Sequence, residues 1–392
     1  MMTSFHAGRA PEAAPAPGAD PGTLARAELG DVLAQAAIEV GYQPVVDLDT
    51  REIVGYEALA RGPRGGALET PDMLFAAARA AGRLDELDWM CQRQALMGAM
   101  TAGLQAPHVL FLNVEPDTSG FMPLELRSLY ARATSQMTVA VEVTERALTE
   151  RPAALLGHVA DMRALGCAVA LDDVGTEAGS LAMMSVLAPE VIKFDLQLVA
   201  GSADADIADV VNAVTAQAEH SGATILVERI ETESDAQFAD ALGGRLAQGW
   251  LYGRRAPLTQ APPRPSSPVS IAATSRLDPR DTTPFALVSG ARRVRRTGRA
   301  LVDAMTRQLE EHARAAGDGA VLLSAFKNAS AFSPAARARY AGLARSVAFC
   351  GVLGQDMPSE PAPGVRGALV HPTDPLRLES TVAVVSPHFA AA

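Results

Sequence analysis

The chain has 392 residues, 48% of them apolar and 20% charged, with a formal net charge of −11. That is enough material for two packed cores, and the acidity argues against wholesale electrostatic binding to nucleic acid or to an anionic membrane. No apolar run is long enough to span a bilayer, and the first residues lack the basic start and apolar core of a signal peptide. A soluble, cytoplasmic chain of bacterial type is therefore expected. Residues 1–23 are rich in Ala, Pro and Gly and predict a disordered tail. Between about Leu24 and Leu258, strand and helix signals alternate. EVGYQPVVDL and IVGYEALA read as a strand pair joined near Asp49–Glu52. FAAARAAGRLDELDWMCQRQALMGAM has a helical period broken near Gly82. Short apolar runs follow: VLFLN, VAVEVT, CAVALDD, VIKFD, TILVERIE and AQGWLY. Helical stretches such as PAALLGHVADMRALG separate several of them. Repeated β-then-α units with fully apolar strands imply a parallel sheet covered by helices, and this many units in one region imply a closed (β/α)8 barrel. APPRPSSPVS, after Gln260, reads as a Pro-stiffened linker over 259–282, and residues 283–392 as a second α/β domain.

Polar residues fall at the C-terminal ends of the apolar runs. Asn113 ends VLFLN, Glu142 and Glu145 end VAVEVTE, and Asp172 with Asp173 end CAVALDD. Lys193 and Asp195 end VIKFD, while Glu228 and Glu231 end TILVERIE. Strand ends of a β/α barrel converge on one mouth. Any one of these acids alone reads more simply as a helix cap or a turn former. Together they would repel one another, and bound divalent cations are the natural resolution, with oxygen-only donors selecting Mg²⁺ or Mn²⁺ over zinc. Lysine is scarce, only Lys193 and Lys327 among 34 basic residues. A GC-rich genome accounts for most of that. A lysine kept at such a position still raises the question of a proton that arginine could not release. Cys91, Cys167 and Cys350 are far apart, without metal or disulfide spacing, and read as small buried hydrophobes.

Glu57-Ala58-Leu59, preceded by Gln43-Pro44-Val45-Val46-Asp47 and followed by Arg61, is similar to the opening signature of EAL-type cyclic di-GMP phosphodiesterases. The resemblance continues in order through Asn113, Glu142 to Glu145, Asp172-Asp173, Lys193-Phe194-Asp195, Glu228 to Glu231 and Gln248-Gly249. It implies a TIM-like barrel with an antiparallel first strand and a two-metal site for Mg²⁺ or Mn²⁺ that opens cyclic di-GMP to linear pGpG. By the same resemblance Glu57, Asn113, Glu142, Asp172 and Asp173 are metal ligands. Glu228 holds water at the metals, Glu231 supports that segment, and Lys193 touches the attacking water. Glu145 anchors the loop after Asp173, while Gln43, Arg61 and Gln248 contact substrate. The resemblance also implies a homodimer through the barrel.

Two departures stand out. The family pattern after the paired aspartates is Phe-Gly-Thr-Gly-aromatic-Ser-Ser, whereas this chain has Val174-Gly175-Thr176-Glu177-Ala178-Gly179-Ser180. Arg229 stands where the family has glycine. The ligands survive while their supports change. An active phosphodiesterase is the first expectation, and a non-catalytic cyclic di-GMP receptor or interaction module is the alternative.

Residues 285–392 carry 13 basic and 8 acidic side chains, so the acidity lies in the rest of the chain. The run ARRVRRTGR could bind DNA, but a solvated helix face or a contact with the acidic barrel fits it better. FSPAARARYAGLA, PGVRGALV and DPLRLESTVAVVSPHF resemble the DICT sensory domain. The resemblance implies a regulatory role toward an unknown signal or partner. His371 and His388, lacking a third ligand, read as turn or core histidines.

Overall fold

The computed structural model describes residues 21–115, 121–144, 151–175, 178–196, 204–271, 283–291, 294 and 296–392. Glu145, Thr176, Glu177 and most of the 1–23 segment lie outside the described residues.

The first two apolar runs form β1 (Glu39–Asp47) and β2 (Ile53–Arg61), an antiparallel hairpin in which Gln43 lies opposite Glu57. Asp47 shapes the connecting turn: its Oδ1 accepts the Asp49 and Thr50 N–H groups at 3.1 and 3.0 Å. The other runs become β3 (Val109–Asn113), β4 (Thr138–Thr144), β5 (Ala168–Val174), β6 (Val191–Asp195), β7 (Thr224–Glu228) and β8 (Leu246–Gln248). β2 to β8 pair in parallel in chain order, and β1 closes the barrel antiparallel to β8. The architecture is thus a TIM-like (β/α)8 barrel with an inverted first strand.

Around it lie α1 (Pro21–Ala34), α2 (Pro71–Ala81), α3 (Leu84–Thr101), α4 (Leu124–Thr134), α5 (Pro152–Ala164), α6 (Ala178–Leu187), α7 (Asp204–Ser221) and α8 (Glu233–Ala241). The break between α2 and α3 falls at Gly82, whose φ of 65° is open to glycine without strain. No described helix is long and apolar enough to cross a membrane.

Strand parity positions the mouth. Val109 and Phe111, Ala140, Ala168 and Ala170, Val191, Leu226 and Leu246 pack together as the barrel interior. Two residues further along each strand stand Asn113, Glu142, Asp172, Lys193, Glu228 and Gln248, so the 2-residue period carries these side chains to one end. The opposite end is closed by Ile271, with Val269 beside it. On the way there Ala261 N–H donates to Ala102 O at 2.8 Å, and Ser266 Oγ donates to Glu52 Oε2 at 2.7 Å. The first half of the stretch read as a spacer is therefore a strap bound across the barrel floor. Its proline content resembles a linker because such a strap needs no ladder hydrogen bonds.

The second domain has α9 (Pro284–Ala291), α10 (Arg299–Ala316), β9 (Val321–Asn328), α11 (Pro334–Leu343), β10 (Phe349–Gln355), β11 (Arg366–Leu369), β12 (Thr381–Ser386) and β13 (Phe389–Ala391). The sheet order is β11-β10-β9-β12-β13, with β9, β10 and β11 parallel and the other two antiparallel. Its core holds Leu322, Phe332, Tyr340, Leu343 and Val352. Buried Glu310 is paired with Arg339 Nε at 2.6 Å. His371 sits in a turn against Thr373 Oγ1 at 2.8 Å, as a turn histidine would.

Barrel and second domain meet at α6. β12 and the Gly317–Gly319 turn lie against this helix. Val321 joins the barrel's outer cluster, with half-buried Leu323, Phe349 and Val385 beside it. This accounts for the composition of α6, AGSLAMMSVL: a helix covered on both sides has no use for a polar face. The contact at α6 is apolar. Arg299 is exposed and pairs only loosely with Asp303 of its own helix, at 3.8 Å. Arg292, Arg293 and Arg295 lie outside the described residues.

Candidate active site

Lys193 holds the centre of the mouth. Its Nζ lies 2.7 Å from Glu142 Oε1, 2.9 Å from Glu228 Oε1, 3.2 Å from Asp172 Oδ1 and 3.7 Å from Glu57 Oε1. Only 1% of the side chain is exposed. β3 and β4 set Asn113 beside Glu142, and β6 and β7 set Asp195 beside Glu228. Glu57 accepts hydrogen bonds from Asn113 Nδ2 at 3.1 Å and from Gln248 Nε2 at 2.6 Å. Seven of the residues singled out in the sequence thus form one constellation.

Burial and charge act on these groups in opposition. Burial alone would strip the proton from Lys193, but Asp172, Glu142, Glu228 and Glu57 outweigh it and hold the ammonium well above its ordinary range. Four acids surround the ammonium, so desolvation alone does not decide its protonation. Burial pushes Glu142 well up, with Glu57 adding to the effect. Burial likewise raises Glu228 to about 8 against the opposing pull of Lys193. Glu57 moves down: burial would raise it, but Lys193, Gln248 and Asn113 prevail.

Glu142 Oε2 and Gln248 Oε1 are buried without a hydrogen-bond donor, while Glu142 Oε1 meets the Lys193 ammonium at 2.7 Å. Among the described residues no three acids, histidines or cysteines are drawn together as a finished cation cage; the carboxylates converge on Lys193. Unsatisfied buried oxygens in an all-oxygen set nonetheless fit a hard divalent ion.

Asp173 lies within a register shift between Leu171 and Val174 and has φ 57°, a left-handed conformation that aspartate tolerates. Burial raises its pKa, Asp172 and Asp195 adding to the rise while Lys193 and Arg229 oppose it. Gln43 Nε2 donates to Gly253 O at 3.2 Å, at the edge of the constellation. Arg61 is exposed at the end of β2. Glu231 is also exposed; its N–H donates to Asp235 Oδ2 at 3.0 Å within the capping box that opens α8. Arg229 has φ 57°, which costs a non-glycine residue on the order of 1–2 kcal/mol. Its Nε lies 2.6 Å from Asp195 Oδ2.

One feature escaped the sequence reading. Beside Glu57 and Asn113 opens a cavity of about 750 Å³, walled by Pro71 and Phe75 and reaching Asp88 on α3. Asp88 accepts from Gln92 Nε2 at 2.6 Å, and Tyr130 Oη donates to Gln92 Oε1 at 2.8 Å. The signal was an Asp and a Gln four residues apart on the buried face of α3. Burial raises the Asp88 carboxyl well above its usual range, the Glu115 N–H only partly countering it. A carboxyl raised in the folded state contributes full stability below its unfolded pKa of about 3.9, and that stability is lost as pH climbs above it. Asp88→Asn should abolish this loss, so its melting temperature should fall less than the parent's between acid and neutral pH. Parallel melting curves across that window would show that Asp88 titrates normally.

Residues 26–255 match the family model described as EAL domain. The cyclic di-GMP phosphodiesterase RocR of Pseudomonas aeruginosa is 30% identical over 227 residues, 56% of this chain and 57% of RocR. The probable cyclic di-GMP phosphodiesterase PdeB of Escherichia coli is 29% identical over 236 residues, 58% of this chain and 45% of PdeB. The chain spans about half the length of these two relatives. Among solved structures, the phosphodiesterase PaMucR in complex with c-di-GMP is 26% identical with a TM-score of 0.52, covering 59% of this chain and 97% of that one. The EAL enzyme Bd1971, in its cAMP and cyclic-di-GMP bound form, shares the fold with a TM-score of 0.53 at 22% identity, over 60% of this chain and 67% of that one.

Proposed function

The chain belongs to the EAL domain family, and from that premise we propose that its barrel hydrolyses cyclic di-GMP to linear pGpG in a metal-dependent reaction regulated by the C-terminal domain. The observation that carries this reading is Lys193 among four carboxylates at the barrel mouth, next to a cavity of about 750 Å³. That volume suits a small-molecule site, which typically measures ~300–1,000 Å³. Glu57, Asn113, Glu142, Asp172 and Asp173 are the residues that would hold Mg²⁺ or Mn²⁺. Bound there, divalent ions make water a stronger nucleophile and neutralise the phosphate. Water attacks phosphorus and gives its proton to Glu228, the bond from phosphorus to the 3′-oxygen breaks, and the departing oxygen takes a proton from solvent. Glu228, raised to about 8, suits the removal of the water's proton near neutral pH. Lys193 keeps its charge and stabilises negative charge as it develops on the phosphoryl oxygens. Gln248 and Asn113 orient Glu57, and Pro71 and Phe75 offer an apolar wall to a base.

Incubating the protein with cyclic di-GMP and Mg²⁺ or Mn²⁺, followed by chromatography, tests the reading. The linear dinucleotide is the expected product. A receptor reading is favoured by one observation, the strained Arg229 beside Glu228. It predicts tight nucleotide binding with no product, and neither binding nor product would remove both readings.

For regulation, we propose that α6 is the element through which the second domain acts. It begins five residues after Asp173, and its outer side carries the second sheet. Val385→Asp places a charge in that contact and should loosen it. The expected result is a change in basal turnover of roughly 5-fold or more, within the usual range of coupling energies. Unchanged turnover, with the contact shown to be open by proteolysis, would assign the second domain to another partner.

A further inference from the structure

Arg229 occupies the least comfortable backbone position in the mouth. Its left-handed φ of 57° is imposed by its neighbours. Ile230 N–H donates to Gln248 O and Leu251 N–H donates to Ile230 O, both at 3.1 Å. Gly249 lies so close beneath that a Cβ there would stand 2.0 Å from Ile230 O, so the segment cannot relax toward β8. Glycine would accept this conformation without strain. A chain that holds arginine there must recover the strain, and an outlier of this kind at a site points to function.

The recovery is visible in the ion pair. Arg229 Nε meets Asp195 Oδ2 at 2.6 Å, with the carboxylate only 3% exposed. Asp195 ends β6 level with Glu228, so the ion pair places the guanidinium, 57% exposed, at the β6–β7 side of the mouth. Across the β5–β6 pairing Val174 lies opposite Phe194, so Asp173 and Asp195, the residues before and after that pair, stand on neighbouring strand ends. A guanidinium never gives up its charge at ordinary pH, so the compensation it supplies is permanent.

We propose that Arg229 is a resident cation that takes over part of the charge compensation at the Asp173–Asp195 side of the mouth, so that the barrel binds one divalent ion tightly and a second one much more weakly. The inference rests on the metal-dependent reading above. The ion held by Glu57, Asn113, Glu142 and Asp172 is the tight one. The ion that needs Asp173 meets a fixed like charge.

The test is Mn²⁺ titration of the full chain by calorimetry, with electron paramagnetic resonance to detect spin-coupled ion pairs. The parent should bind one ion tightly, with the second at least about tenfold weaker, the scale on which groups around a metal site alter affinity. Arg229→Gly should bind two ions with comparable affinity and show the coupled-pair spectrum. Arg229→Lys keeps the charge and should behave as the parent does. Two equally tight ions in the parent would overturn the inference and leave the metal-dependent reading standing. A single ion in Arg229→Gly, or two in Arg229→Lys, would overturn it as well. No ion in any of the three would remove the inference together with the reading it rests on. Thermal unfolding serves as the folding control, since the glycine variant loses both the strain and the ion pair.

Discussion

Replacing Glu57 with alanine should lower hydrolysis of cyclic di-GMP by on the order of 10³-fold, the loss typical when one strong electrostatic contact to a reacting phosphate or carbonyl centre is removed. Glu57 joins the two sides of the mouth. It accepts Asn113 Nδ2 on one oxygen and Gln248 Nε2 on the other, and it lies 3.7 Å from Lys193 Nζ. Its loss removes a proposed metal ligand and frees two amides that were fixed by it. Alanine in a buried site also leaves a void, so Glu57→Gln is the companion variant. Glutamine keeps the volume and one acceptor oxygen but carries no charge. Both variants should lose Mn²⁺ affinity in a calorimetric titration while melting cooperatively. Turnover close to that of the parent in Glu57→Gln would show that the charge at this position is not used, and the site assignment would fail.

Much of this mouth was legible in the sequence because two simple periodicities coincide. Apolar strands with a two-residue period leave Asn113, Glu142, Asp172, Lys193, Glu228 and Gln248 on one side of one end of the barrel. The order of the segments then determines which side chains are neighbours. The protonation of Lys193 was not legible, because it depends on how many acids converge in space. One carboxylate would leave burial in control; four do not. Backbone conformation was equally hidden. Nothing in VERIET shows that Arg229 is left-handed; that follows from Gly249 and Gln248 pressing on Ile230. The floor strap was misread for a different reason. Its Pro and Ser content is that of a linker, while the two residues that matter, Val269 and Ile271, are an ordinary apolar pair until the open end of a barrel needs closing. The inter-domain contact lay in plain view in AGSLAMMSVL, a helix with no polar face.

Lys193→Arg should lose far more rate than affinity: kcat should fall by about 10²- to 10³-fold, the range for a displaced electrostatic stabiliser of the transition state, with nucleotide Kd changed only a few-fold. Arginine is the informative replacement because it preserves the charge. Removing the charge altogether would leave Glu142, Glu228, Asp172 and Glu57 facing one another without a cation. Breaking a buried pair in that way costs about 3–5 kcal/mol, enough to confuse catalysis with stability. Arginine avoids that penalty but changes the geometry. Lys193 Nζ is a compact point donor with three protons, lying 2.7 Å from Glu142 and 2.9 Å from Glu228. A guanidinium is planar and longer, and the site around Lys193 is closed. It must displace the carboxylates outward or push toward the open mouth, where the phosphate is expected to lie. Either shift separates Glu228 from the water it is proposed to deprotonate. The pH profile adds an independent reading. Glu228 is held at about 8 by burial against the pull of Lys193, so a cation moved further away should let its pKa rise. The residual activity of Lys193→Arg should therefore reach half its maximum at a higher pH than that of the parent. An unchanged kcat with an unchanged pH profile would return Lys193 to the role of a buried counter-ion, and its rarity in this arginine-rich chain to the genome's base composition.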